Sequence, residues 1–257
     1  MIHQLKSYLK FLIKSTNQHG VHSPFIFDLV TKCFYDSKKY DAYGTLSAYK
    51  KQLIKNKEEI SVTDLGPGSR VTKRNNRRIS EIAKNAGSTK KRAQLLYRLS
   101  HYFKFENSLE LGTSLGIATY AIHKGNPSGK ITTIEGCPNI SKVAKNYLEQ
   151  YNTSNINLLN GDFSEKMSTL KNEIFDFIYI DGNHTKKATI NYFETLLKKT
   201  HNDTVFLFDD IYWSKDMTEA WEIIKNHSKV NVTIDCYWCG FVFIRQEQAQ
   251  EHFTIRL

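Results

Sequence analysis

The strongest constraint on the fold is an alternation of short apolar segments with amphipathic helical segments in the second half of the chain. Five apolar segments with strand-like composition leave room for a helix between neighbours; they span 108–111, 130–135, 156–160, 175–180 and 204–208. Continuous apolar strands separated by helices are typical of a parallel sheet covered on both faces. The sequence therefore predicts an α/β fold with a Rossmann-like, doubly wound sheet of seven strands, the last two forming an antiparallel hairpin over 230–246.

Polar residues stand at the end of every one of these segments. They are Glu110 with Gly112, Glu135, Asp162, Asp181 with His184, and Asp209 with Asp210. Ligands of open parallel sheets bind at the carboxyl ends of the strands. The sequence therefore predicts a ligand site along this edge of the sheet.

Two glycine-bearing turns are candidates for the turn that contacts a cofactor. One contains Gly66 and follows an apolar segment at 60–65; the other contains Gly112 and follows 108–111. Glycines let a turn bring backbone N–H groups close to a ligand, and a ribose-containing cofactor also needs an acid about 20 residues later, at the end of the next strand. After Gly66 the sequence is basic and helix-forming, and no second strand is predicted, whereas Glu135 ends the strand that follows Gly112. The turn at Gly112 is therefore predicted to be the one that contacts the cofactor.

The first hundred residues have a mostly helical pattern. Apolar residues at helical spacing predict an amphipathic helix in 1–16, and Ser23 followed by Pro24 is a typical start for a second helix. A third helix is predicted over 46–55. We therefore divide the chain into a helical extension or lid that provides substrate specificity, residues 1–104, and a catalytic domain, residues 105–257.

Positive charge is concentrated in residues 70–98. This segment has ten basic residues and one acid, in a chain whose formal net charge is +10. A clustered positive field attracts phosphate or carboxylate ligands, so an anionic acceptor or RNA is one interpretation. A solvated helix face is the other. The loop 64–70 is left without an assigned role.

Cysteine use and hydropathy point to the cytoplasm. Four cysteines in 257 residues suit a reducing compartment, and no apolar run approaches the roughly 20 residues that cross a bilayer. No signal peptide is expected at the N-terminus. Cys236 and Cys239 have zinc-knuckle spacing but lack a second cysteine pair, so a structural metal is not expected there.

From residue 105 to 245 the sequence resembles the class I S-adenosylmethionine-dependent methyltransferases. The resemblance implies that Glu110, Gly112 and Ser114 surround the methionine part of the cofactor, that Glu135 binds the ribose, and that Asp162 with Phe163 borders the adenine. The complete set of implied cofactor contacts is Glu110, Gly112, Thr113, Ser114, Gly116, Glu135, Gly136, Asp162, Phe163 and Asp181. Asp162 by itself would equally suit a helix N-cap.

Within that superfamily the second half resembles the metal-dependent O-methyltransferases of the catechol and antibiotic-sugar types. The resemblance implies that Asp181, Asp209 and Asp210 hold Mg²⁺ or another divalent cation, and that His184 removes the proton of the acceptor hydroxyl. The catechol type has Lys where this chain has His184. That difference favours a sugar or aliphatic hydroxyl over a simple catechol.

The expected function is therefore a metal-assisted O-methyltransferase that uses S-adenosylmethionine and acts on a hydroxyl of a small molecule or glycan. Two alternatives stay open: an RNA methyltransferase that uses residues 70–98, and a non-catalytic cofactor-binding protein. The sequence does not determine the oligomeric state, and a homodimer is compatible with it.

Overall fold

The predicted alternation of strands and helices is present in the computed structural model, which describes residues 2–63 and 74–257. Along the chain the helices and strands are α1 (Ile2–Lys14), α2 (Pro24–Leu29), α3 (Ala42–Lys55), β1 (Glu59–Ser61), β2 (Asn76–Arg78), α4 (Ile79–Asn85), α5 (Lys90–Phe103), β3 (Asn107–Leu111), α6 (Ile117–Gly125), β4 (Lys130–Glu135), α7 (Pro138–Glu149), β5 (Ile156–Asn160), α8 (Phe163–Thr169), β6 (Phe175–Ile180), α9 (Lys186–Leu196), β7 (Thr200–Asp209), α10 (Lys215–Lys225), β8 (Val232–Asp235), β9 (Cys239–Phe243) and β10 (Glu251–Thr254). Strands β3, β4 and β5 pair in parallel, and so do β6 and β7, so the predicted fold class is confirmed.

Contacts divide the chain into two units. One comprises Asp36–Lys171, and the other comprises Met1–Tyr35 together with Asn172–Leu257. The predicted division after residue 104 separates a substrate-specificity region from a catalytic domain by function rather than by contacts, and it stays a prediction.

In the unit Asp36–Lys171, strand β4 pairs in parallel with β3 on one side and with β5 on the other. The middle strand is buried except at its two ends. This burial explains the continuous apolar and β-branched composition that identified it in the sequence.

A separate pair of short strands corrects one prediction. Strand β1 pairs antiparallel with β2, although no strand was expected after Gly66. Because β2 is the polar tripeptide Asn-Arg-Arg, it has no apolar alternation to reveal it. An ion pair of 3.2 Å between Arg78 and Glu59 joins residues that face each other across the two strands.

In the other unit the strands lie in the order β10-β8-β9-β7-β6. Strands β6 and β7 are parallel, and β8 and β9 form the predicted antiparallel hairpin beside β7. Strand β10 pairs in parallel with β8 and was not predicted. It is a short strand whose first two residues are polar and exposed, so its sequence carries little strand signal.

The predicted N-terminal helices are also present. The hydroxyl of Ser23 caps α2, whose first residue is Pro24, and the helix continues as a π-helical turn over Val30–Phe34. Helix α1 is amphipathic as expected, but Ser7 and Phe11 are its buried residues. The side of the helix that carries Ile2, Leu5, Leu9 and Ile13 is exposed. None of the helices in the described part of the chain is long and apolar enough to span a membrane.

Candidate active site

The turn between β3 and α6 is held in place by the neighbouring strand. Gly112 and Gly116 have φ angles of +105° and +76°, a region that favours glycine. The backbone N–H groups of Gly112 and Thr113 both donate to the Ile134 carbonyl, at 2.9 and 3.2 Å. The turn is thus fastened to the end of β4. We call residues 110–116 with 135–137 the cofactor corner.

Glu135 closes the cofactor corner. One of its carboxylate oxygens accepts the backbone N–H of Ser114 at 2.8 Å, and the other accepts the backbone N–H of Cys137 at 2.9 Å. These two bonds hold Glu135 beside the glycine turn at the end of β4, and its contact with the ribose stays a prediction.

Glu110 lies beneath the turn. Its side chain is fully buried, and its Oε2 accepts hydrogen bonds from the hydroxyls of Thr119 at 2.5 Å and Thr133 at 2.6 Å. The hydroxyls of Thr113 and Thr133 are also bonded, at 2.6 Å. These bonds join β3, β4 and the start of α6. Direct contact of Glu110 or Thr113 with the cofactor stays a prediction.

A tyrosine from the N-terminal region completes the turn, and sequence analysis did not identify it. The hydroxyl of the fully buried Tyr49 donates to the Leu115 carbonyl at 2.8 Å. A Cβ at Gly116 would lie 2.8 Å from the same hydroxyl oxygen, so only glycine fits there without movement. The spacing of Leu46, Tyr49 and Leu53 marks a buried helix face in the sequence, but it does not reveal this bond.

Asp162 acts as a helix cap, the alternative that the sequence left open. Its Oδ1 accepts the backbone N–H groups of Ser164 and Glu165 at the start of α8, at 2.8 and 3.1 Å. Phe163 is the first residue of that helix and is partly exposed. Contact of Asp162 and Phe163 with the adenine stays a prediction.

Gly136 lies beside this connection. The Asn160 side-chain amide donates to the Glu135 carbonyl at 2.8 Å and lies 3.4 Å from the Gly136 carbonyl. The end of β5 is thereby tied to the end of β4, where the ribose contact was predicted. A cofactor contact of Gly136 itself also stays a prediction.

In the unit that contains Asn172–Leu257, Asp181 and His184 form a pair after β6. The Asp181 Oδ1 lies 3.7 Å from His184 Nε2, and the Tyr179 hydroxyl donates to Asp181 Oδ2 at 2.9 Å. Both members of the pair are about one-fifth exposed, so a ligand can reach them while solvent access is limited. We call Tyr179, Asp181 and His184 the catalytic corner.

Aromatic and strained residues surround the catalytic corner. The Trp213 ring lies 5.9 Å from the His184 ring, centroid to centroid. Asn183, between the pair, has φ +48°, and its side-chain amide donates to the Tyr192 hydroxyl at 3.0 Å. A non-glycine residue with positive φ is often found at functional sites, where surrounding contacts hold it. The tight turn is what brings His184 back to Asp181.

Asp209 and Asp210 occupy different environments at the end of β7. Asp209 is buried and faces Cys239 across the sheet, whereas Asp210 is partly exposed and has φ +53°. The Asp210 backbone N–H donates to the Trp238 carbonyl at 2.7 Å. Within residues 2–63 and 74–257, no group of three or more His, Cys, Asp or Glu side chains is arranged to hold a metal ion. Asp181, Asp209 and Asp210 do not form such a group in the described structure, and their binding of a divalent cation stays a prediction.

A hydrogen-bonded tyrosine–aspartate pair at the end of β8 was not identified from the sequence. The Tyr212 hydroxyl donates to Asp235 Oδ2 at 2.6 Å, and the Tyr237 backbone N–H donates to Oδ1 at 2.8 Å. Burial raises the pKa of Asp235 above its ordinary value, although both hydrogen bonds oppose that rise. Burial and the nearby carboxylate also raise the pKa of Tyr212. Tyr212 is therefore a hydrogen-bonded support of the hairpin, while Trp213 faces His184.

The basic segment is only partly covered by the described residues. Arg70, Lys73 and the proposed loop 64–70 lie outside them. Among the described members, Arg78 is paired with Glu59, and Arg98 donates to the Tyr43 hydroxyl at 3.1 Å. These bonds engage two of the cations within the protein, so the solvated-face and anionic-partner interpretations both stay open.

The comparisons with known proteins concern the segment that contains both corners. Residues 109–211 match a family model described as a methyltransferase domain. The matched segment is about two-fifths of the chain. No curated protein matches the chain in sequence.

Three solved structures of methyltransferases resemble this chain. An SAH-bound methyltransferase of Podospora anserina, PaMTH1, has 14% identity and a TM-score of 0.60, over 87% of this chain and 97% of that one. The O-methyltransferase TomG of Streptomyces achromogenes, in complex with SAM, has 14% identity and a TM-score of 0.58, over 84% and 96%. An O-methyltransferase of Bacillus cereus, in complex with SAH, has 18% identity and a TM-score of 0.53, over 83% and 95%. The Rossmann-like α/β fold predicted from the sequence is confirmed.

Proposed function

We propose that the protein is an S-adenosylmethionine-dependent O-methyltransferase that acts on a hydroxyl of a small molecule or glycan. One observation carries the proposal: the methyltransferase match begins within β3 and ends two residues after β7, so it contains the cofactor corner and the catalytic corner. Two of the similar structures described above are O-methyltransferases with SAM or SAH bound, which supports this cofactor and this type of acceptor.

The cofactor corner suits a ribose-containing ligand. Glu135 presents a carboxylate whose orientation is held by two backbone N–H groups, and a carboxylate is a hydrogen-bond acceptor for the hydroxyls of a diol. The start of α6 places the positive end of a helix beside the turn. Glu110, buried beneath, holds Thr119 and Thr133 and so positions the turn. When bound, the cofactor supplies an electrophilic sulfonium methyl group.

The catalytic corner suits proton removal from an acceptor hydroxyl. In the proposed reaction His184 would accept the proton of the acceptor hydroxyl as that oxygen takes the methyl group of the bound cofactor, which would leave as SAH. The Asp181 Oδ1 lies 3.7 Å from His184 Nε2, and the Tyr179 hydroxyl orients Asp181 by donating to its Oδ2. General base catalysis of this kind contributes about 10²–10⁴ in rate.

The divalent cation stays a prediction from the resemblance. Because the described residues form no three-ligand group, the proposal assigns proton removal to His184 and Asp181 alone. Loss of turnover in EDTA, with recovery on adding Mg²⁺, would establish the metal dependence. Unchanged turnover in EDTA would indicate that the Asp181–His184 pair removes the proton without a metal ion.

The test combines cofactor binding with a base variant. S-adenosylmethionine binding is measured by isothermal titration, and turnover is followed as SAH release with a panel of hydroxyl compounds. We expect the wild type to bind the cofactor. His184→Ala should keep that affinity and lose about 10²–10⁴ in kcat.

The chain offers a matched control for this variant. His201 forms a similar pair with Asp176, at 2.8 Å, at the opposite ends of β6 and β7. His201→Ala should leave kcat unchanged. Absence of cofactor binding would refute the proposal and favour a non-catalytic protein, and equal losses in the two variants would refute the role of His184.

A further inference from the structure

Helix α1 carries an apolar face that its own unit leaves uncovered. Four large aliphatic residues are exposed, with fractions of 72% for Ile2, 61% for Leu5, 52% for Leu9 and 85% for Ile13. Their spacing of three to four residues places them on one side of the helix. Exposed aliphatic residues scattered singly are normal in proteins, but a contiguous row of this kind marks an interaction surface.

The opposite side of α1 is firmly attached. Phe11 is buried, and its ring lies 5.6 Å from the Tyr237 ring. The Tyr237 hydroxyl donates to the Gln4 carbonyl at 3.0 Å, and His3 Nε2 lies 2.9 Å from the Thr218 hydroxyl. Because these contacts already fix the helix through its other side, the aliphatic row is free to contact something else.

Charge identifies the kind of partner. Lys6, Lys10 and Lys14 recur every four residues along one flank of the aliphatic row, and all three are exposed. The helix contains no acidic residue, and within the described parts of the chain no carboxylate pairs with these three lysines. The Arg256 guanidinium adds a further cation at the end of α1, where it donates to the Leu12 carbonyl at 3.3 Å.

We infer that α1 is a docking surface for an anionic phospholipid membrane. A helix with an aliphatic row beside a row of lysines lies in the plane of a bilayer surface, with the aliphatic side chains among the acyl chains and the lysines at the headgroups. The inference does not depend on the proposed function.

A second copy of the chain is a weaker candidate for this surface. Stable interfaces bury about 20–30 residues on each partner, whereas this row contributes four. Two copies joined through their α1 helices would also bring lysine rows together, with no acidic residue on either helix to pair with them.

Vesicle co-sedimentation of the full chain tests the inference. We expect binding to vesicles of phosphatidylcholine mixed with phosphatidylglycerol in equal parts, little binding to phosphatidylcholine alone, and weakening with added salt. The double variant L9Q/I13Q should reduce the partition constant at least about tenfold. The triple variant K6Q/K10Q/K14Q should reduce it by about a hundredfold, since each lysine near an anionic surface contributes about fivefold.

Two control variants make the same chemical changes elsewhere. I223Q alters an aliphatic residue on α10 that is 44% exposed, and K171Q/K198Q/K229Q removes three exposed lysines outside both α1 and the basic segment. Neither should change vesicle binding. The changed side chains are all exposed, and an unchanged thermal midpoint checks that each variant is folded.

Several results would overturn the inference. These are no binding to anionic vesicles, equal binding to phosphatidylcholine alone, or equal losses in the α1 and control variants. A concentration-dependent dimer in analytical ultracentrifugation that L9Q/I13Q dissociates, without vesicle binding, would assign the surface to a second copy instead.

Discussion

The contact between Tyr49 and Gly116 allows a quantitative test of how the cofactor corner is held. Tyr49→Phe removes the hydroxyl that donates to the buried Leu115 carbonyl, and leaving such a group without its donor costs about 1–3 kcal/mol in the free energy of unfolding. Gly116→Ala forces a side chain into a backbone conformation with φ +76°, which costs about 1–2 kcal/mol.

The same alanine also collides with its neighbours. Its Cβ would lie 2.8 Å from the Tyr49 hydroxyl oxygen and 3.2 Å from Leu148 Cδ1, and overpacking of this kind costs about 1–3 kcal/mol. Gly116→Ala alone should therefore destabilise the protein by about 2–5 kcal/mol. In the double variant the hydroxyl is gone, so the total loss should fall short of the sum of the single losses by about 1–2 kcal/mol.

Urea unfolding followed by circular dichroism measures all four proteins of this cycle. Tyr151→Phe serves as the control, because its ring lies 5.3 Å from the Tyr49 ring while its hydroxyl bonds to Gln52, away from the turn. Combined with Gly116→Ala, it should give additive losses. Additivity within about 0.5 kcal/mol in the Tyr49 cycle as well would refute the packing argument.

Two further predictions concern buried polar groups, and a third concerns the basic segment. Thr133→Val removes a hydroxyl donor to Glu110 and should lower the free energy of unfolding in urea by about 1–3 kcal/mol. Thr132→Val should be neutral or stabilising, because the Thr132 hydroxyl is buried without a hydrogen-bond partner among the described residues. Equal effects of the two variants would contradict the hydrogen bond from Thr133 to Glu110. Because burial raises the pKa of Asp235, its contribution to stability is present below its ordinary pKa of 3.8 and is lost as pH rises through the higher folded value. Asp235→Asn should therefore gain stability relative to the wild type between pH 3 and 6, and a constant difference over that range would count against it. If residues 70–98 bind RNA, filter binding of total RNA should be detectable at low salt and fall steeply as salt is added, and no binding at low salt would exclude that alternative.

Local sequence was sufficient to predict the main sheet. Strands β3, β4, β6 and β7 are buried over most of their length, so their apolar composition is continuous and each is visible without knowledge of its neighbours. Glu135 could be predicted as well, because the spacing between a glycine turn and the next strand end is fixed by the length of one helix. These features depend on short stretches of the chain.

Features that depend on distant partners could not be predicted. The bond from Tyr49 to Leu115 joins residues 66 positions apart, and nothing in the helix that contains Tyr49 indicates its partner. Strand β2 is polar, and its backbone together with an ion pair from Arg78 joins it to β1. In α1, periodicity identifies an aliphatic row but not which side meets the protein, since one buried phenylalanine and its contact with Tyr237 decide the orientation.

The structure also changes how the glycine turn is expected to work. The sequence suggested that its backbone N–H groups approach a ligand, yet those of Gly112, Thr113, Ser114 and Gly116 all donate to acceptors within the protein. Their acceptors are the Ile134 carbonyl, the Glu135 carboxylate and the Thr113 carbonyl. The glycines therefore serve chiefly to let the turn fold back onto β4. Since the same backbone bonds fix the position of Glu135, little ordering of that side chain would remain to oppose the binding of a cofactor.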